Sequence, residues 1–402
     1  MDLLIPENIN LSTLGHSDIY RHSDKYYYLI YLLYHIRNRD KRYRDEDYIT
    51  LNGKVLCQIL GGRYKKYLDD LMILGIIECD NCYLPGTKSK GYRLVQKFRC
   101  TKHKKIKIRT KLLIEKITKP NKQAYIDLPH LVYMERCVRD VKILYDEAIE
   151  FINKNKTDED SYFSYYHSID MIQHGIIYCK PDPTAGRIHS NITNLYRDLR
   201  QFLRYKDKPL FEIDIANSQP FLFNIIINHY YNLDNLSLRN LSYDHQDNTR
   251  CPIKASNYSD VELYRSLTSS GTFYEYVMNK LNITESRPEF KVRFFAKVFY
   301  SKESPNYVHD ERKQFRELFP NVSRVISHYK KPDYRNLAIT LQRKESDIMI
   351  KGVAKRLSEM NVFFLTIHDS ILTTHKNLDV VKEIIIDEFS KKLCLIPTLR
   401  AK

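Results

Sequence analysis

Apolar residues recur at helical spacing through Asp24–Arg37, Leu51–Leu60 and Arg63–Leu74, the last with Tyr67, Leu68, Leu71 and Leu74 on one face. Gly61-Gly62 punctuates the second and third stretches, and Gly75 ends the third. Ile76–Tyr83 and Tyr92–Phe98 are strand-like on either side of the turn residues Pro85–Gly91. Thr101–Ile126 has a different texture, a basic connector with Glu115 as its single acid. Leu128–Asn155 predicts one long helical segment, broken by Thr157–Asp160. Further along, Phe211–Asp214 and Phe363–Asp369 are apolar, strand-like runs that each end in an aspartate, and Gln219–Tyr230 predicts a helix. From Pro181 onward no linker interrupts the pattern, and no internal repeat is present. The expected organisation is therefore residues 1–100, 101–180 and 181–402.

The order helix, helix, turn, helix, hairpin resembles a winged helix-turn-helix. Its third helix would carry Arg63, Lys65 and Lys66, and its wing Lys88, Lys90 and Arg93. Such a module sets a helix in the major groove of duplex DNA, or binds a protein partner through the same fold. Charge favours a polyanionic partner. Lys and Arg outnumber Asp and Glu by 65 to 49, a net charge of +16. The connector adds Lys102, Lys104, Lys105, Lys107, Arg109, Lys111, Lys116, Lys119 and Lys122, either an arm along phosphates or a solvated linker. Eight cysteines in 402 residues do not make a disulfide scaffold. Cys79-x2-Cys82 and Cys100-x2-His103 have zinc-ribbon spacing, or pack as small hydrophobes beside the hairpin. No leader-like segment and no run of roughly 18 apolar residues is present, so a cytoplasmic protein without a membrane span is expected. Tyr is abundant (32) and Trp absent, as in AT-rich coding of viruses and mobile elements.

The candidate chemistry lies in the last 222 or so residues, a length sufficient for a large core. A carboxylate inside an apolar strand is costly unless paired or metal-bound, and this applies to Asp214 and Asp369. Each alone is satisfied by an ordinary salt bridge; together they suit a pair of divalent ions. Arg287, Lys291, Phe295 and Phe299 recur every fourth residue, so an α-helix would stack them into one stripe, cationic at one end and aromatic at the other. The cations suit phosphates and the rings a base. Two carboxylates and a cationic helix face are a minimal set for nucleotidyl transfer.

Five segments in this order resemble family A DNA polymerases, and the single-subunit phage-type RNA polymerases that share their architecture. Thr184-Ala185-Gly186-Arg187-Ile188-His189-Ser190, followed by Asn191–Leu195, is similar to the TGRL-type segment; Asp214 falls on motif A; Arg287, Lys291, Phe295 and Phe299 fall on motif B; Gln342–Asp347 matches the Gln-Gly-Thr-Ala-Ala-Asp segment at its two ends; His368-Asp369-Ser370 falls on motif C. The resemblance covers residues 180–395, roughly half the chain. It implies an α+β right-hand fold of palm, fingers and thumb with an antiparallel palm sheet. It implies two Mg²⁺ ions, with Mn²⁺ as a substitute, on Asp214 and Asp369. Lys291 and Arg287 would bind the triphosphate, with Lys291 the acid for the leaving pyrophosphate. Arg187, Asn194, Gln342 and His368 would contact primer and template, and Phe295, Phe299 and Gln219 the incoming nucleotide.

Departures from the family leave sugar choice open. Gln219 stands where the DNA enzymes have a ribose-rejecting Glu; motif B ends Phe299-Tyr300-Ser301, so Phe299 or Tyr300 holds the aromatic position; His-Asp-Ser is the RNA polymerase form of motif C. Little sequence is left for a proofreading exonuclease, and a thumb would be short, residues 127–178. The expectation is a DNA-directed DNA polymerase of a virus, plasmid or mobile element, acting on primer-template and nucleoside triphosphates. Its N-terminal module would hold DNA or a replication protein. An RNA-synthesising primase or polymerase and an inactive DNA-binding regulator are the alternatives.

Overall fold

In a computed structural model the chain packs as two units, residues 1–180 with 189–209, and residues 181–188 with 210–402. The structure describes residues 1–11, 20–40, 43, 48–84, 86–156, 158–231, 258–302, 308–331 and 333–402, without the side chains of 119–122. Pro85, Thr157 and the side chains of Lys119 and Lys122, all invoked above, lie outside the described residues. Both units are built on antiparallel strand pairs. Among the described residues no helix is long and apolar enough to cross a membrane.

The first unit opens with β1 (Asp2–Pro6) and α1 (Ser23–Arg39). Tyr26, Leu29, Ile30, Leu33 and Tyr34 of α1 are buried at the three-and-four spacing of one helix face. β2 (Ile49–Thr50), α2 (Gly53–Leu60), α3 (Tyr64–Ile73), β3 (Ile77–Cys79) and β4 (Gly91–Leu94) follow, with strand order β2-β4-β3. Asn52 caps α2, its side chain accepting from the amides of Lys54 and Val55. Gly75, at φ 62°, ends α3, and the Ile76 amide returns to the Leu71 carbonyl. Tyr67, Leu68 and Leu71 of α3 join Ile77, Leu94 and α1 in one core. The order is helix, strand, helix, helix, strand, strand; the expected second strand is shorter and followed by a 3₁₀ turn at Gln96–Phe98.

The basic stretch expected as a connector is built into this unit instead. β5 (His103–Lys107) pairs with β1, Leu3 opposite Ile106, and α4 spans Lys111–Asp127. Alternation explains it: Ile106 and Ile108 supply apolar positions between the lysines. The single helix expected over Leu128–Asn155 is α5 (Leu131–Arg139), β6 (Val141–Ile143) and α6 (Tyr145–Asn155). Val141 and Ile143 are buried and Lys142 exposed, the period of a strand rather than a helix. α7 (Glu159–Gln173) follows, Asp158 capping it from the break. β7 (Cys179–Pro181), β8 (Ile188–Ser190) and β9 (Leu203–Tyr205) complete the region, β9 pairing with β6.

In the second unit β10 (Lys208–Ile215) alternates from Glu212 onward: Ile213 and Ile215 are buried, Glu212 and Asp214 lie on the other face. It leads through a left-handed Asn217 into α8 (Ser218–Tyr230), whose Phe221, Leu222, Phe223, Ile226 and Ile227 are buried. α9 (Ser259–Ser269), α10 (Phe273–Lys280), α11 (Arg287–Phe294), α12 (Asp310–Leu318) and α13 (Pro320–Lys330) bring Tyr264, Phe273, Phe294, Phe315 and Phe319 into an aromatic core. α14 (Asn336–Ile348), a π-helical segment (Met349–Ala354) and α15 (Lys355–Glu359) precede β11 (Leu365–Ile367) and β12 (Ser370–Thr374). α16 (Leu378–Leu393) and β13 (Leu399–Ala401) close the unit, with strand order β11-β12-β10-β13.

Two local expectations change here. Asp369 does not sit inside a strand: His368-Asp369 is the two-residue turn of the β11–β12 hairpin, with Ile367 opposite Ser370 and His368 at φ 54°. The helix of Arg287 does not stay α. Phe295–Phe299 is a π-helical turn, in which i→i+5 bonding replaces i→i+4 and shifts the residues beyond it around the helix axis.

Candidate active site

The two aspartates are brought to one end of paired strands. Asp214 of β10 lies opposite Ser370 of β12, the residue directly after Asp369. Burial pushes the Asp214 carboxyl up, the negative charge of Asp369 pushes it further, and Glu212 adds to the same direction. Lys402 and Lys291 pull it down. Lys402 Nζ is 3.5 Å from Asp214 Oδ2, carried there by β13, where Arg400 pairs with Asp214. Glu212 shares the face of Asp214 and accepts the Ser370 hydroxyl at 2.8 Å. Two half-exposed acids, the charge of one acting on the other, with cations nearby, are oxygen donors of the kind that could hold a hard divalent ion. Among the described residues no three His, Cys, Asp or Glu side chains form a metal-binding group, so the protein's offer is this pair. Mg²⁺ is commonly held by one or two carboxylates with substrate phosphates completing its shell, and the pair fits that pattern.

The cationic helix end faces the same site. Arg287 opens α11, where a Ser286–Glu289 capping box and Pro288 fix the entry. Its guanidinium donates to Asn217 Oδ1 at 3.1 Å, directly after β10, pairs with Glu275 at 2.6 Å and lies 5.3 Å from the Tyr274 ring. Lys291, one turn on, is exposed, and no carboxylate among the described residues pairs with it. Its field reaches Asp214.

Phe299 leaves the stripe. It is fully buried against Phe223 and Phe294, so it serves the core and has no face to offer a nucleotide. Its ring keeps an edge-on contact with Phe295, centroids 5.7 Å apart, but is directed into the core. Phe295 is half-buried and stacks on Tyr300 at 5.3 Å. Tyr300 is therefore the accessible aromatic, and its hydroxyl donates to Gln219 Oε1 at 3.2 Å.

Gln219, Arg187 and the Gln342–Asp347 segment meet at a residue the sequence reading passed over. Glu345 accepts Arg187 Nε and Nη2 at 2.7 Å each, and Gln219 Nε2 at 2.7 Å. Only 1% of Glu345 is exposed, and burial lifts its carboxyl to about 7 despite Arg187. A signal existed: Leu337, Leu341, Glu345 and Ile348 form the buried stripe of α14, so an acid occupies a core position there. Arg343 supports the same turn from Nε to the Thr184 carbonyl at 2.9 Å. That turn, Asp182–Arg187, needs a left-handed residue, which Gly186 supplies at φ 72°. Arg187, Glu345 and His368 line one small cavity. Gln342 is half-buried one turn before Glu345, and Asp347 pairs with Lys351 at the surface. Lys402 had no signal in the sequence.

Asn194 belongs to the first unit, where it donates to the Tyr178 hydroxyl. The zinc-like residues do not gather. His103 has both ring nitrogens engaged, by Asp170 at 2.8 Å and the Tyr34 hydroxyl at 2.7 Å, and Cys100 donates to Asp160. Cys79 and Cys82 lie on the hairpin as free thiols.

No family model matches the sequence, and no curated protein matches it. Among solved structures the chain is similar to the POL domain of Pol1 from M. smegmatis in complex with DNA primer-template and dNTP, at 11% identity and a TM-score of 0.30. The match covers 63% of this chain and 54% of that one, so the chain spans about half that structure. A score that low does not establish a shared fold.

Proposed function

We propose that this protein is a template-directed nucleotidyltransferase, a DNA-directed DNA polymerase of a virus, plasmid or mobile element. The observation that carries the reading is Asp214 opposite Ser370, with Asp369 next to it and the charges of Asp369 and Lys291 both acting on the Asp214 carboxyl. Asp214 and Asp369 would hold two Mg²⁺ ions. When bound, such ions acidify the attacking hydroxyl and neutralise the departing pyrophosphate. Lys291, exposed and without a carboxylate partner among the described residues, binds the triphosphate and carries the proton for the leaving group. Arg287 joins it by exchanging Glu275 for a phosphate. Gln219, held between Glu345 and Tyr300, and the Phe295–Tyr300 stack flank the nucleotide. Arg187, Gln342, His368 and, in the other unit, Asn194 are proposed to contact primer and template.

Residues 1–100 are proposed to act as a winged-helix module that holds DNA or a replication protein. Arg63 and Lys65 are exposed on α3's leading end, whereas the wing cations Lys88 and Arg93 pair with Asp80 and Glu78. A second reading, RNA synthesis, is favoured by the neutral Gln219, whose amide is tied up by Glu345 and Tyr300. Primer extension with Mg²⁺, run with deoxynucleotides and with ribonucleotides on DNA and RNA templates, tests both. Extension is expected with deoxynucleotides on primed DNA, and its loss in Asp214→Ala and Asp369→Ala. Extension that survives either substitution overturns the assignment.

A further inference from the structure

The first unit holds a polar pocket of its own. It is a partly open cavity of about 30 Å³ lined by His35, Asn38, Arg39, His167, Tyr178 and Asn194 among others. One cation, Arg39, lines it, and the charge of a second, Lys180, reaches its His35. Arg39 is exposed and lies 5.3 Å from the Tyr178 ring. Lys180, on β7, is held below the usual ammonium range by burial and by the Arg39 charge. The same two charges, after burial, act on His35 and keep it neutral. Arg39 and Lys180 are thus close enough to oppose one another, yet neither pairs with a carboxylate among the described residues. Other cations of this unit do: Arg37 with Asp160, Lys66 with Asp70, Lys156 with Asp198.

The donors inside match the charge. Tyr178 accepts from Asn194, which leaves its own proton for another acceptor. His35 Nδ1 and His167 Nε2 are 3.1 Å apart and share one proton, while His167 Nδ1 is buried with no partner. Asn38 is 1% exposed, and its Oδ1 is also without a partner. Unopposed positive charge beside unfilled polar groups is unfavourable until an anion with several acceptor oxygens arrives. A cavity this small admits the oxygens of such a group and leaves a base outside.

We propose that this pocket is a phosphate-binding site, and that the phosphate it takes is a backbone phosphate of a nucleic-acid strand. The assignment does not depend on nucleotidyl transfer; it would hold in a protein that only binds nucleic acid.

The test is Arg39→Ala/Lys180→Ala in the full chain, against Lys154→Ala/Arg139→Ala, which removes the same charge from the same unit. Binding of a fluorescent single-stranded oligonucleotide is followed by anisotropy across a salt series. We expect about tenfold weaker binding, and a log–log salt slope smaller by about 0.7, the value for one lost phosphate contact on a single strand. The control should change affinity less than about twofold. Thermal melts with inorganic phosphate form the second arm. A phosphate-dependent rise in Tm that the double variant loses, alongside weakened oligonucleotide binding, means the site also accepts the free anion; no rise means it needs the strand. Loss of the phosphate response with unchanged oligonucleotide binding overturns the strand assignment, and behaviour equal to the control in both arms overturns the site. Wild-type protein gives an independent readout: oligonucleotide should protect Lys180 from acetylation at least fivefold by mass spectrometry, and no protection rejects the proposal.

Discussion

Asp170 and Asp214 are both acids set among apolar elements, and they differ in how they are satisfied. Asp170, in the first unit, is 1% exposed, with His103 at 2.8 Å and the Tyr145 hydroxyl at 3.1 Å on its two oxygens. The ring of His103 stacks on Tyr166 and its other nitrogen meets Tyr34. Every group in that cluster is spent, and a closed network of this kind specifies a fold. Asp214 is half-exposed, opposed by Asp369 and Glu212, and only partly offset by Lys402 and Lys291. A site that leaves like charges together stores affinity for something not in the protein. Satisfaction, more than burial, separates the structural acid from the functional one.

That contrast breaks first at Asp214. Asp214→Ala or Asp369→Ala should abolish primer extension, by about 10³-fold or more, while leaving the melting temperature equal or higher, since one of two repelling charges is gone. Asp170→Ala should do the reverse: about 3 kcal/mol of stability lost to an orphaned buried network, with extension per folded molecule unchanged. Equal effects of the two substitutions on activity would erase the distinction. Denaturant unfolding and single-turnover extension measure both.

Phe299→Ala should cost about 3–5 kcal/mol by opening a core cavity, without a change in nucleotide KM among molecules that remain folded. A selective rise in KM would return Phe299 to the nucleotide site.

Glu345 sharpens the comparison through pH. Its carboxyl is lifted to about 7 in the fold, above the ordinary value of 4.5, so the folded state binds the extra proton. The stability this contributes is full below about pH 4.5 and is lost as pH rises through about 7, up to about 3 kcal/mol in all. Glu345→Gln should remove that pH dependence in urea melts between pH 4.5 and 8. A wild-type profile as flat as the variant's would mean that Arg187 holds the acid ionised.

The smallest effect is expected at Tyr300→Phe. Stability should change by less than about 1 kcal/mol, with a shift in the deoxynucleotide-to-ribonucleotide ratio because Gln219 loses the hydroxyl it accepts from. An unchanged ratio would remove Gln219 and Tyr300 from sugar choice.

Local pattern was enough for the elements that bury one face. The stripe of α1, the Gly-terminated α3 and the alternation of Ile213, Asp214 and Ile215 were all legible, because periodicity and turn chemistry act within a few residues. The basic stretch around His103–Lys107 misled: its lysines dominate the composition, but Ile106 and Ile108 decide the strand. The π turn at Phe295–Phe299 was invisible, since an α-helix and a π turn share the same apolar spacing until neighbours choose between them.

The sequence by itself determined which residues are able to do chemistry: two aspartates beside apolar strands, a cation pair on a helix, a left-handed glycine before Arg187. Only the tertiary structure decided which of them act on one another. Antiparallel register put Asp214 next to Asp369, β13 delivered Lys402, and core packing took Phe299 inward and set Glu345 against Arg187. Propensity reads neighbours along the chain, whereas electrostatic coupling falls off with distance in space, and pairing of strands far apart in sequence is what converts one into the other.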